Sequence, residues 1–378
     1  MVLHLALDEK FIDMAYNTFE NVNPNNNKFI IVTSDKHEFT YIKKTPITKI
    51  TKNKFFGKKF LDDLVKYELI IIHWLDSQKM KFILKCPKNI KILWIGWGGD
   101  YYSYMGKELL FAKTKELCFK NKDNTSMEKK IKSFIKRYLL FNKTPNMKNI
   151  LERVDYFSPV LKVEYECLRK NFNMLSFPQY IDWNYGTLED DLIIDDLTIN
   201  GNNILLGNSA TCENNHIEAI DILKNMDLKD RKIISPLSYG DNKYRDYIVT
   251  YGNLKLVKNF YPLENFMKIN EYNKVISTCS IVIMNHLRQQ ALGNITIMMY
   301  FGAKVYLNIE NPIYNFFKEQ GAIIFSLKDL NDISINIELS DFEKNINREI
   351  IQKNWSRNMI DKKTKNILNI IKMENVNA

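Results

Sequence analysis

Glycine and proline are scarce in this 378-residue chain, with 13 and 9 residues. Such a composition excludes a collagen-like, linker-dominated or disordered polypeptide. Cysteine is also sparse. Cys86, Cys118, Cys167, Cys212 and Cys279 are scattered, and no two form a CxxC pair. The set reads as reduced thiols in a cytosolic protein, and against a zinc site or a disulfide frame. No apolar run approaches the roughly 20 residues of a membrane-spanning helix, so any membrane contact is expected to be peripheral. The opening MVLHLALDEK lacks a basic stretch followed by a long apolar run, so no secretory leader is expected. Acidic residues are the minority, 44 against 54 Lys+Arg, for a formal net charge of +10. A basic surface suits nucleic acid, an anionic bilayer or a phosphorylated ligand, and equally a lysine-rich composition with no target. The basic residues are spread along the chain and no nucleic-acid-binding motif is present, so nucleic acid ranks last and is not expected as a partner.

What is abundant is apolar: 45% hydrophobic residues, including 22 Phe and 20 Tyr. A chain of this length is expected to form two domains. Continuous apolar runs alternate with helical patterns. Strands are expected at 2–7, 29–33, 68–73, 92–96, 155–159 and 173–178, with helices at about 9–20, 57–66, 103–118, 127–141 and 160–170. After an acidic, irregular stretch at 179–203 a second series begins. Its strands are expected at 203–208, 231–236, 254–258, 280–285, 303–308 and 322–326. Its helices fall at about 215–226, 242–251, 264–273, 288–301, 311–319, 340–350 and 352–374. Strands apolar along their whole length, separated by helices, indicate parallel sheets covered on both faces. The expected fold is α/β: two Rossmann-like doubly wound domains, 1–185 and 186–350, facing a central cleft, with a C-terminal helix at 351–378 packing back toward the first. Ligands of such sheets bind at the carboxyl ends of the strands.

Candidate ligand contacts in the second half follow expected strand ends. Gly207, Asn208 and Ser209 precede a helix with His216 in its first turn. This suits a phosphate held by helix N–H groups, and equally an ordinary Asn-capped turn. Arg288, Gln289, Gln290 and Gly293 form a polar, basic cluster before an apolar helix, and Arg288 suits a bidentate phosphate contact or a solvated cap. Tyr239 suits base stacking or a turn. Glu310 and Asn311 suit a sugar hydroxyl or a helix start.

In the first half, Asp8, His73 and Asp100 follow strands. A carboxylate near an imidazole could act as general base toward an acceptor hydroxyl, although each alone is more often structural. "WGGDYY" places Trp97, Gly98, Gly99 and Tyr102 around Asp100, a backbone and aromatic surface suited to a sugar. "MEKKIKSFIKRYLLF" (127–141) is a basic amphipathic helix, the pattern of a bilayer-surface element and also of a soluble helix with its stripe in the core.

Taken together, "GNS…NNHIEAI", "RQQALGNI…FGAKVYLNIENPIYNFF" and "WGGDYY", with "FP" at 177–178 before Asp182 and "P-x-x-Y" at 236–239, resemble the TDP-N-acetylfucosamine:lipid II N-acetylfucosaminyltransferase family. The resemblance spans most of the chain and is strongest from about 200 to 330. It departs from the family at 115–150 and in the linker. It implies a GT-B glycosyltransferase, cytoplasmic and peripheral at the bacterial inner membrane, moving a 4-acetamido-4,6-dideoxyhexose from a TDP-sugar to an undecaprenyl-diphosphate-linked saccharide. It further implies no cofactor and no bound metal, since "LEDD" (188–191) and "IDD" (194–196) lie in the linker. Gly207 to Ser209, His216, Tyr239, Arg288 to Gln290, Gly293, Glu310 and Asn311 become donor contacts. Asp8, Trp97, Gly98, Gly99 and Tyr102 become acceptor contacts, Asp100 and His73 the catalytic pair, and the 127–141 helix a docking element for the anionic membrane surface. The competing class is a non-catalytic two-lobed binding protein for a nucleotide sugar or anionic glycan, which would bind without releasing TDP.

Overall fold

The computed structural model describes residues 1–123, 145–192 and 198–376. Two compact units are present. One comprises Met1–Lys107, Glu128–Thr187 and Trp355–Ala378, the other Glu108–Met127 and Leu188–Asn354.

The first unit holds seven parallel strands: β1 Val2–Leu5, β2 Asn27–Val32, β3 Ile47–Ile50, β4 Leu69–His73, β5 Lys91–Ile95, β6 Tyr156–Ser158 and β7 Gln179–Tyr180. Their order is β3-β2-β1-β4-β5-β6-β7. VLHL and LIIIH are buried at every position, as central strands covered on both faces must be. Helix Phe11–Val22 turns Ile12, Ala15 and Phe19 onto the sheet. The C-terminal helix Arg357–Val376 adds Ile367 and Ile371 to the same core. Its buried Thr364 accepts a hydrogen bond from Trp183 Nε1 at 2.8 Å.

The second unit holds six parallel strands: β8 Asn203–Leu206, β9 Ile233–Pro236, β10 Phe260–Leu263, β11 Cys279–Met284, β12 Lys304–Leu307 and β13 Phe325–Ser326, ordered β10-β9-β8-β11-β12-β13. Helix Leu292–Phe301 buries residues on nearly all sides, hence its uninterrupted apolar sequence.

Several expectations are corrected. The strand expected at 254–258 is the end of helix Asn242–Leu256, which buries Tyr244, Ile248, Gly252 and Leu256 at four-residue steps. The strand follows at Phe260–Leu263. The short strand ITKI, partly exposed and carrying a lysine, was not expected. The strand expected at 173–178 is displaced to Gln179–Tyr180. The 352–374 helix is preceded by a longer one than expected, Asp341–Trp355.

Residues 108–123, expected in the first domain, belong to the second unit. Phe111 N–H donates to Asn215 Oδ1 at 2.9 Å, and Thr114 donates through N and Oγ1 to the Glu218 carboxylate at 2.9 and 2.6 Å. A disulfide between Cys118 and Cys212 fastens the same segment, against the expectation of five reduced thiols. Cys86, Cys167 and Cys279 are free. The basic stretch 127–141 lies outside the described residues.

Candidate functional site

In each sheet the chain reverses its direction of strand addition next to its first strand, between β8 and β11 in the second unit and between β1 and β4 in the first. Such a switch point opens a crevice at the carboxyl ends of the strands.

In the second unit, β8 leads into Gly207, whose φ is +67°. A Cβ there would lie 2.5 Å from His216 Nε2 and 2.8 Å from Asn214 Oδ1, so this turn requires glycine. Asn208 N–H donates to Asn214 Oδ1 at 2.9 Å, and Asn208 Nδ2 to the Tyr239 hydroxyl at 3.2 Å. Gln290 Nε2 donates to Asn208 Oδ1 at 3.0 Å and Thr211 Oγ1 at 3.2 Å. His286 Nε2 lies 2.9 Å from Asn214 Oδ1. Loops from β8, β9 and β11 are thereby joined in one polar network, and Asn208, Ser209, Tyr239 and Gln290 meet in it. Asn285 ties the floor together, donating to Asn215 O at 3.1 Å and accepting from Asn308 at 3.3 Å.

Two helices begin here, His216–Leu223 after β8 and Leu292–Phe301 after β11. Neither N-cap residue, Asn215 with φ of 50° or Ala291 with φ of 61°, caps its helix with its own side chain, but the His216 N–H donates to the buried Tyr244 hydroxyl at 3.4 Å. Two other helices of this unit are capped, by Asp241 and by Asn311. Gly293, in the first turn of Leu292–Phe301, is exposed with open space where a side chain would be. Arg288 is partly exposed, Gln289 buried, and Tyr239 and Glu310 exposed. The uncapped start of Leu292–Phe301, just after Arg288 in the chain, is the kind of helix N-terminus that suits an anion.

His216 does not reach this surface. It is fully buried, with Nδ1 3.2 Å from the Tyr244 hydroxyl, and burial lowers its pKa to about 3. Burial, with Arg288 and His216 adding to it, also holds His286 well below the usual histidine range. Burial thus disfavours the charged form of both rings, and Arg288 is a cation at this edge. Asn311 is likewise buried as a helix cap, its Oδ1 accepting from Ile313 N–H at 3.0 Å.

In the first unit the expected residues divide. Asp100 is buried. Its Oδ2 accepts from Leu75 N–H and Trp94 Nε1, and its Oδ1 from Trp97 N–H, each at 2.9 Å. Burial raises its pKa despite these donors. It therefore braces the loops after β4 and β5. Asp8 braces another loop, accepting from the N–H groups of Thr40, Tyr41 and Ile42 at 2.6, 3.0 and 3.1 Å. Burial alone would raise its pKa, and the three donors together with nearby His37 outweigh that and lower it. Tyr102 and Gly98 are buried; Trp97 is partly exposed and Gly99 exposed.

His73 is not beside Asp100 in the hydrogen-bond network. It is fully buried, with Nε2 3.1 Å from His4 Nδ1 and Nδ1 2.6 Å from the Tyr185 hydroxyl. Tyr185 and Trp74, both partly exposed at this edge, were not among the expected site residues. Trp74 directly follows the expected strand and was legible as a strand-end residue. Tyr185 lies beyond the last strand of the unit and carried no signal.

A family model described as 4-alpha-L-fucosyltransferase, glycosyl transferase group 56, matches residues 160–360, more than half of the 378. Among solved structures, a sucrose-phosphate synthase from Thermosynechococcus elongatus matches with TM-score 0.66 and 10% identity over 99% of each chain. A glycosyltransferase from Rickettsia africae matches at 0.63 and 12%, over 98% of each. Anabaena HepE in complex with UDP and glucose matches at 0.59 and 11%, over 97% of this chain and 99% of that one. At such identities the likeness carries the fold, which is GT-B.

Proposed function

This chain belongs to the 4-alpha-L-fucosyltransferase family, glycosyl transferase group 56, and is a hexosyltransferase; on that premise we propose that its donor is a TDP-linked dideoxy-acetamido sugar and its acceptor an undecaprenyl-diphosphate-linked saccharide. The observation that carries the donor side is the uncapped N-terminus of helix Leu292–Phe301 at the β8/β11 switch point, with Arg288 just before it in the chain. The diphosphate takes up negative charge as the bond to the anomeric carbon breaks. Helix N–H groups and a guanidinium fixed in advance stabilise that charge without reorganising. Asn208, Ser209 and Gln290 frame the pocket, Gly293 leaves room for a phosphate, and Tyr239 and Glu310 are the exposed candidates for base and sugar.

The first unit is the proposed acceptor side. Trp97 and Gly99 are its surface contacts, Asp100 and His73 are part of the framework behind Trp97, and Asp8 braces the loop at 40–42. A lipid-linked acceptor requires the enzyme to reach a bilayer. Among the described residues no helix is long and apolar enough to cross one; on the lipid-linked acceptor reading the enzyme sits peripherally on the anionic cytoplasmic face.

A thermal-shift screen against TDP, UDP and GDP tests the donor. TDP should raise the melting temperature selectively, and Arg288→Ala should weaken its binding about ten- to a hundredfold, the worth of a hydrogen bond to a charged group. Preference for UDP or GDP would sink the donor assignment, and no shift with any of the three would sink the site.

A further inference from the structure

The Tyr185 hydroxyl has three hydrogen-bonding valences, one donor and two acceptor lone pairs. Trp97 Nε1 can only donate, and it does so to Tyr185 at 2.8 Å, filling one lone pair. His73 Nδ1, at 2.6 Å, fills a second valence, either receiving the tyrosine proton or donating its own. Burial keeps His4 and His73 neutral, so each carries one ring proton and the chain His4–His73–Tyr185 runs in one direction or the other. In both directions one valence of the Tyr185 oxygen is left without a partner among the described residues: a lone pair in one case, the proton in the other. A sugar hydroxyl, being donor and acceptor at once, completes it in either. A phosphate could use only the proton.

The surroundings favour a sugar as well. Phe11 and Trp97 lie 5.4 and 5.6 Å from the Tyr185 ring, and Trp74 lies 5.7 Å from Trp97. All four residues are partly exposed. Trp74 has φ of +61°, a conformation that bulky side chains avoid. It is held there from two sides. Lys79 Nζ donates to His73 O and Trp74 O at 2.8 and 3.0 Å, and Gly99 leaves room for the indole, which a Cβ would meet at 2.6 Å. Strain maintained to display a ring is a mark of function. Aromatic walls with one directed polar group describe a carbohydrate subsite.

We propose that Tyr185 is the residue of the first unit that hydrogen-bonds an acceptor saccharide hydroxyl, with Trp74, Trp97 and Phe11 forming the aromatic surface on which the sugar ring lies. His73 and His4 are positioning residues behind it. The inference rests on the transferase reading, to which it adds the acceptor contact.

The test uses the full-length protein with 15N-labelled tryptophan. The indole N–H signals of Trp74 and Trp97 are assigned with Trp→Phe variants. The protein is titrated separately with methyl glycosides of hexoses and N-acetylhexosamines and with a short prenyl phosphate. At least one glycoside should move the Trp74 and Trp97 signals and leave those of the buried Trp94 and Trp183 in place. Tyr185→Phe should bind it about tenfold more weakly. Movement with the prenyl phosphate alone, no movement with any glycoside up to its solubility, or unchanged affinity in Tyr185→Phe overturns the proposal. The wild-type titration decides even if the variant does not fold. TDP binding measured on the same sample separates the outcomes, since a protein that binds nucleotide but no glycoside here keeps the transferase reading and loses this one.

Discussion

Gly207→Ala should damage fold and donor site together, while Gly293→Ala should spare the fold. At Gly207 the φ of +67° costs a residue with a Cβ about 1–2 kcal/mol. The methyl would then lie 2.5 Å from His216 Nε2 and 2.8 Å from Asn214 Oδ1. Neither neighbour is the loose end of a flexible chain. His216 is fully buried against Tyr244, and Asn214 holds Asn208 N–H and His286. Overpacking of this kind costs about 1–3 kcal/mol, so the sum is about 2–5 kcal/mol. Gly293 is helical with open space around it, and alanine there should be neutral or stabilising by about 0.5–1 kcal/mol. Denaturant unfolding followed by circular dichroism gives both numbers, and a TDP titration gives binding. Gly207→Ala should lose stability and affinity. Gly293→Ala should lose affinity alone, because its methyl stands over the free N–H groups. Gly207→Ala with wild-type stability would refute the packing argument, and Gly293→Ala with wild-type TDP affinity would remove the phosphate from that helix.

Asp100→Asn should lower stability by about 2–3 kcal/mol, because an amide cannot accept from all three of Leu75, Trp94 and Trp97; an equally stable variant would return this residue to the catalytic candidates. Alkylation of the denatured, unreduced protein should label 3 of the 5 cysteines and all 5 after reduction. Five labels without reduction would show the Cys118–Cys212 bond to be absent in solution.

The two-sheet α/β organisation was legible because burial on both faces writes itself into a strand as an unbroken apolar run. VLHL, LIIIH and NILL needed no context. Strand-end loops were legible for a related reason, since polar residues and glycine follow such a run only where the chain leaves the sheet. This was enough to find Gly207, Asn208, Ser209, Tyr239 and Gln290, which the fold brings together. LKLVK was misread because a strand and the last turn of a buried helix share a short apolar pattern, and only the packing of Leu256 in register with Ile248 and Gly252 distinguishes them.

The direction each polar side chain faces was beyond the sequence, because it depends on partners far along the chain. Asp100 turns inward because Leu75 and Trp94 offer it N–H groups. His73 is buried because His4 takes one nitrogen and Tyr185, 112 residues away, takes the other. Cys118 and Cys212, 94 residues apart, are bonded because residues 108–123 dock on the second unit. Local composition determined which elements form and where the chain leaves them. Tertiary hydrogen bonding decided which of the residues found there serve as braces and which are left at the surface.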